Sequence, residues 1–174
     1  MRYFSRLLLF LACAVSACAT TLVGHIDAAR NGDSFVFTSG RQKLEVRLVG
    51  VSCPVNLVNT LASQPLAREA KRFTQSFNTF GQQGQLKLEI VGRDIYGRYL
   101  GWVSTVDDQY SLNLMLLSNG LAELNPDYLN LLDRPTQADL GYSESQAAAS
   151  RRGVWNVRGR INPSVFRQKL HLGE

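Results

Sequence analysis

From residue 20 onward, apolar and polar positions fall into short, partly alternating runs. Residues 22–27 suit a first strand, 34–38 a second and 44–51 a third, with Asn31-Gly32-Asp33 and Ser39-Gly40 as the turns between them. Connections this tight imply an antiparallel meander. The period then changes. Leu66, Ala70, Phe73, Phe77 and Phe80 recur at helical spacing, which gives a helix with one apolar face. Pro65 fits its first turn and Gly81 its end. Two more strands are expected over 86–91 and 99–106, joined through 92–98. Ser111 caps a second helix that runs through Leu117 and closes at Gly120, and a third covers 138–152 and stops at Gly153. Five strands with helices inserted after the third and the fifth predict a β-barrel with α, an OB-fold: a five-stranded Greek-key barrel with about three helices.

The first residues lie outside that pattern. Arg2 and Arg6 precede an apolar run over 7–17 that is interrupted only by Ser16. A basic segment followed by an apolar stretch too short to span a bilayer reads as a secretory signal. Two processing sites fit. Val15-Ser16-Ala17-Cys18 has the form of a bacterial lipobox, with Cys18 lipidated and the mature protein anchored to a membrane. Ala17-Cys18-Ala19 also fits ordinary cleavage before Thr20, which would release a periplasmic or extracellular protein. The expected division is a signal over 1–19, one globular domain over 20–156 and a basic extension over 157–174.

Composition adds little to this. With 174 residues, 45% hydrophobic and 19% charged, the chain has material for one ordinary core. Of three cysteines, Cys13 and Cys18 lie at the signal, so Cys53 has no intramolecular partner left and reads as a small buried apolar side chain. The formal charge of +5 loses Arg2 and Arg6 with the signal. The remaining excess is modest and compatible with a polyanionic partner.

Three segments carry the candidate chemistry: Asn31-Gly32-Asp33-Ser34, Arg47-Leu48-Val49-Gly50-Val51-Ser52-Cys53-Pro54, and Asp94-Ile95-Tyr96-Gly97-Arg98. In this order and spacing they resemble the staphylococcal nuclease (thermonuclease-like) family. Gln64-Pro65, Asn119-Gly120-Leu121-Ala122, Ser143-Glu144-Ser145-Gln146-Ala147 and Gly153-Val154-Trp155 extend the resemblance over most of 22–155. A tail with Asn162-Pro163 and Phe166-Arg167 looks like the short extension of bacterial members.

The resemblance implies metal-assisted hydrolysis of phosphodiesters. In that chemistry a calcium ion bridges phosphate and water, a carboxylate activates the water, and two arginines hold the phosphate. Arg47 and Arg98 match the phosphate-gripping arginines, whose planar forks suit two phosphate oxygens. Asp33 matches a calcium-binding carboxylate, in a position that is also ordinary turn chemistry. The second metal carboxylate is replaced by Ser52 and the water-activating glutamate by Val55. Asn31 stands where a neighbouring acid is expected. No Asp or Glu occurs between Glu45 and Glu69, so no short register slip restores the site. Loss of a general base costs about 10²–10⁴ in rate, and loss of a carboxylate lowers calcium affinity.

Tyr96, Tyr99 and Tyr128 are candidate platforms for base stacking. Trp102 and Trp155 read as packing residues. Arg151, Arg152, Arg158 and Arg160 make the C-terminal region basic, suited to phosphates or anionic lipid headgroups. The first expectation is an exported, nuclease-like domain that binds DNA, RNA or another phosphate polymer with impaired or absent cleavage, a pseudoenzyme. The alternatives are an active calcium-dependent endonuclease with a rebuilt centre, and an envelope lipoprotein whose barrel contacts another protein.

Overall fold

The computed structural model describes residues 20–57 and 63–169; the expected signal over 1–19, with Cys18, lies outside them. Strands β1 (Thr20–Ala29), β2 (Ser34–Ser39) and β3 (Gln42–Leu48) form the expected antiparallel meander. The chain returns as β5 (Leu86–Arg93) and β6 (Tyr99–Thr105), after a two-residue strand β4 (Val51–Ser52). The barrel closes in the order β1-β2-β3-β6-β5, with β3 and β6 parallel and every other pair antiparallel. Register shifts between Ile26 and Ala28 in β1 and between Ile90 and Gly92 in β5 bend the strands that close it. The architecture is thus the predicted five-stranded barrel.

Alternation explains the interior. Phe35 and Phe37 of β2, Leu44, Val46 and Leu48 of β3, and Leu86 and Leu88 of β5 are all buried, while Lys43, Glu45 and other residues between them face out or sit at the rim. Fully burying a Phe or Leu side chain is worth about 1.5–3 kcal/mol, and these residues share one core with Phe77, Leu112, Leu116 and Leu140.

Among the described residues the helices are α1 (Ala67–Ser76), α2 (Leu112–Ser118), α3 (Arg134–Ala149) and α4 (Pro163–Lys169), one more than the pattern predicts. α1 begins at Ala67, after a left-handed Leu66, and gives way to a 3-10 turn over Phe77–Phe80 before Gly81. Its polar face has a specific task. Beyond Gly24, β1 leaves β5, so part of its backbone needs other partners. The side-chain amide of Asn78 donates to Ile26 O and accepts from Ile26 N, and Gln75 does the same for Asp27 O and Ala29 N. Ser111 caps α2 as predicted. α3 starts earlier than predicted because Asp133 accepts from Thr136 N at 2.8 Å and caps the helix there.

The predicted third strand is interrupted. Gly50 has φ +76, so β3 stops at Leu48 and Val51–Ser52 pairs separately with β7 (Glu123–Leu124). Buried Asn113 spans the break, with Nδ2 donating to Val49 O and Oδ1 accepting from Val103 N. This turn aims Ser52 and Cys53 at the start of β2.

Candidate phosphate-binding site

Asp33 ends the β1–β2 turn. Its carbonyl accepts from Leu48 N at 2.8 Å, which ties it to the end of β3, and Thr74 Oγ1 of α1 donates to Gly32 O beside it. The carboxylate is turned inward and is 1% exposed. Its Oδ2 accepts from Cys53 N at 3.0 Å and from Arg167 Nη2 at 2.9 Å. Burial on its own would raise this acid's pKa. The Arg167 and then the Arg47 guanidinium outweigh it, with help from Cys53 N–H, and hold the carboxyl below its ordinary range.

Arg47 occupies β3 opposite Ser34 and beside Leu100 of β6. It is buried. Burial pulls its pKa below the usual guanidinium range; Asp33 opposes this, and the like charges of Arg167 and Arg98 add to it. Arginine stays protonated through such shifts.

Arg98 follows a turn built by Asp94. One carboxylate oxygen of Asp94 accepts from Tyr96 N and Arg98 N, and the other from Arg98 Nε at 2.7 Å and Nη2 at 2.6 Å. Asp94 therefore builds this turn and also fixes the orientation of the Arg98 fork. Arg98 and Tyr96 line a cleft of about 220 Å³ together with Arg30, Asn31, Ser34 and Glu45. Tyr96 is 54% exposed, with the Arg98 guanidinium 5.7 Å from its ring centre.

The remaining candidates sort themselves by position. Tyr99 is half-buried beneath the Arg93 guanidinium, 3.9 Å from its ring centre. Tyr128 has a left-handed backbone ahead of a 3-10 turn and does not line the cleft. Ser52 and Val55 are both buried, and Cys53 is a buried free thiol whose pKa burial pushes well up, which suits packing and not nucleophilic attack. Arg160 is held by Glu123 and lies over the Trp155 ring, and Arg152 donates to Ser118 O, so two of the four basic residues near the C-terminus have structural partners.

The residue that sequence reasoning missed is Arg167. It sits on α4 and is buried. Nη1 donates to Ser52 Oγ at 2.6 Å, and Nη2 to Cys53 O at 3.1 Å as well as to Asp33. Asn162-Pro163 was a legible start signal for a helix. Nothing local distinguishes the inward Arg167 from the outward arginines before it. The donor set also answers whether calcium fits. One carboxylate, one hydroxyl and one carbonyl meet here, and a guanidinium already engages all three. Among the described residues, no group of three or more His, Cys, Asp or Glu side chains could hold a metal. The residues present do not fit a calcium ion.

A closed five-stranded barrel with Arg47 on β3 and with Tyr96 and Arg98 in the β5–β6 loop has the form of a nuclease-like OB domain. The chain belongs to the family described as staphylococcal nuclease homologue, whose model matches residues 45–157. It is 32% identical over 92 residues to a protein named thermonuclease from Staphylococcus intermedius, covering 53% of each chain. It is 27% identical over 159 residues to a probable endonuclease, LCL3, of Eremothecium gossypii, covering 86% of this chain and 55% of that protein. The chain thus spans about half the length of these curated relatives.

Proposed function

We propose that this domain binds nucleic acid, or another phosphate polymer, without efficient cleavage. The observation that carries this reading is the state of the carboxylates. Asp33 is buried against Arg167, and Asp94 is clamped to Arg98. Ser52 and Val55 cannot serve as bases, whereas Arg98 and Tyr96 line an open cleft. Guanidinium and aromatic groups suit a phosphate and a stacked base, while water activation needs a free acceptor of suitable pKa. Arg47 is buried on β3, paired in the sheet with Ser34 of the cleft lining.

The test is fluorescence anisotropy with labelled single-stranded DNA and RNA across a salt series, beside a cleavage assay with calcium. Removing one phosphate contact by Arg98→Ala weakens binding by about 1.5–3 kcal/mol and flattens the salt slope by about 0.7 for a single strand. Arg98→Ala with full affinity and an unchanged slope removes the assignment. Robust cleavage by the native domain removes the non-catalytic part. The double change Ser52→Asp plus Val55→Glu asks whether the frame can regain the chemistry.

Export is part of the same proposal, on the strength of the basic and apolar pattern over 1–19. Mass spectrometry of the mature N-terminus distinguishes a lipidated Cys18 from free Thr20; an intact Met1 in the mature protein rejects both.

A further inference from the structure

The three oxygens around Arg167 differ in kind but share one property. A carboxylate, a hydroxyl and a main-chain carbonyl are hard donors, the class that surrounds calcium in proteins. They converge because the Gly50 turn presents Ser52 and Cys53 to the end of the β1–β2 turn. Such a cluster, closed off from water, needs positive charge at its centre.

We propose that Arg167 is a built-in replacement for a metal ion, making this site complete in charge and hydrogen bonding without one. The charge balance supports this. Among the described residues, Asp33 is the carboxylate at the cluster, and the Arg167 guanidinium bonds to it directly. A divalent ion there would leave uncompensated positive charge next to Arg47, whose guanidinium already feels Arg98 and Arg167. The fork geometry supports it as well: two terminal nitrogens reach three oxygens, as a metal would, but in a fixed plane.

The route to the site is also built. Glu123, buried on β7 directly opposite Ser52, accepts from Arg160 Nη1 at 2.5 Å and from Asn162 Nδ2 at 3.0 Å. Gln64 Nε2 donates to Ile161 O at 2.8 Å. Asn162 Oδ1 accepts from Ser164 N at 2.9 Å and Asn162 O from Phe166 N, which starts α4 and directs Arg167 inward. Three consecutive residues, Arg160, Ile161 and Asn162, therefore hold the tail to the rest of the domain before the guanidinium is reached. Binding of phosphate without calcium rests on the function proposed above; exclusion of calcium from the cluster does not.

The experiment is calorimetric titration of the purified full chain with calcium, with oligonucleotide anisotropy in chelator and in millimolar calcium. The native chain is expected to take up no calcium at the cluster and to bind oligonucleotide equally in both buffers. Ser52→Asp restores a second carboxylate but leaves the guanidinium in place, so it gains little. Ser52→Asp with Arg167→Ala binds calcium at least about tenfold tighter than Ser52→Asp alone. Arg167→Lys keeps the charge and continues to exclude calcium, which guards against misfolding of the alanine variant. Saturable calcium binding by the native chain overturns the proposal. So does Ser52→Asp binding calcium as tightly as the double variant. A chain that excludes calcium and binds no oligonucleotide overturns the phosphate reading while supporting the cation assignment.

Discussion

Replacing Arg167 by Met keeps an unbranched apolar stem, shorter by the end of the guanidinium, and removes the charge from the cluster. Asp33 and Arg167 have side chains 1% and 7% exposed, so water does not screen the pair in the folded state. Breaking such a pair on one side costs about 3–5 kcal/mol, because the remaining charge is buried. Asp33 keeps its bond from Cys53 N and its attraction to Arg47, which places the expected loss near the lower end, about 3 kcal/mol. For a chain of this size each kcal/mol lowers Tm by about 2–4 °C, so the drop should be about 6–12 °C. Urea denaturation at neutral pH, for the single variants Arg167→Met and Asp33→Asn and for their combination, separates the pair from its surroundings. The double variant should be more stable than the sum of the two losses predicts, with a coupling of about 2 kcal/mol. A loss below about 1 kcal/mol for Arg167→Met, or additivity within about 0.5 kcal/mol, refutes the reasoning.

The other expectations follow from the same geometry. Asp33 has a folded-state pKa below its unfolded value of about 3.9. Its contribution to stability is therefore complete above that value and is lost as pH falls through the folded-state pKa. In Arg167→Met, burial raises that pKa, so the variant's deficit should shrink on acidification; urea midpoints at several pH values check the sign, and a deficit that grows toward acid contradicts it. Gly120 has φ +63, and a Cβ there would lie 2.1 Å from Arg152 O. Gly120→Ala should cost more than the strain of about 1–2 kcal/mol for a left-handed residue, read by thermal melting. Glu123→Gln weakens the bonds from Arg160 and Asn162 and should speed hydrogen exchange in α4 while leaving the barrel strands protected; uniform exchange throughout would deny the tail its separate attachment.

The barrel was legible because its strands carry their own instructions. Phe35 and Phe37, or Leu86 and Leu88, alternate with polar neighbours, and Asn31-Gly32-Asp33 and Ser39-Gly40 set the turns. The break at Gly50 was hidden inside an apolar run, since a strand and a strand with a left-handed interruption share the same hydrophobic pattern. Gln75 and Asn78 lie between the apolar positions of the helical pattern; their work for the β1 backbone exists only once that strand has bent away from β5. Asp33, Arg47, Arg98 and Asp94 could be placed from spacing and resemblance. Arg167 could not, because its partners are set by the path of the tail across β7 and by no periodicity within it.

That path has a kinetic side. The contact between Asp33 and Cys53 closes over 20 residues, whereas the contact between Asp33 and Arg167 closes over 134. The longer closure costs about 2 kcal/mol more in chain entropy. It also cannot form until nearly the whole described chain has been synthesised. The barrel strands therefore assemble around a carboxylate whose strongest partner arrives last. In a refolding experiment the docking of α4 should appear as a late event, after the strands are protected, and a chain shortened ahead of Arg167 should linger in that unfinished state.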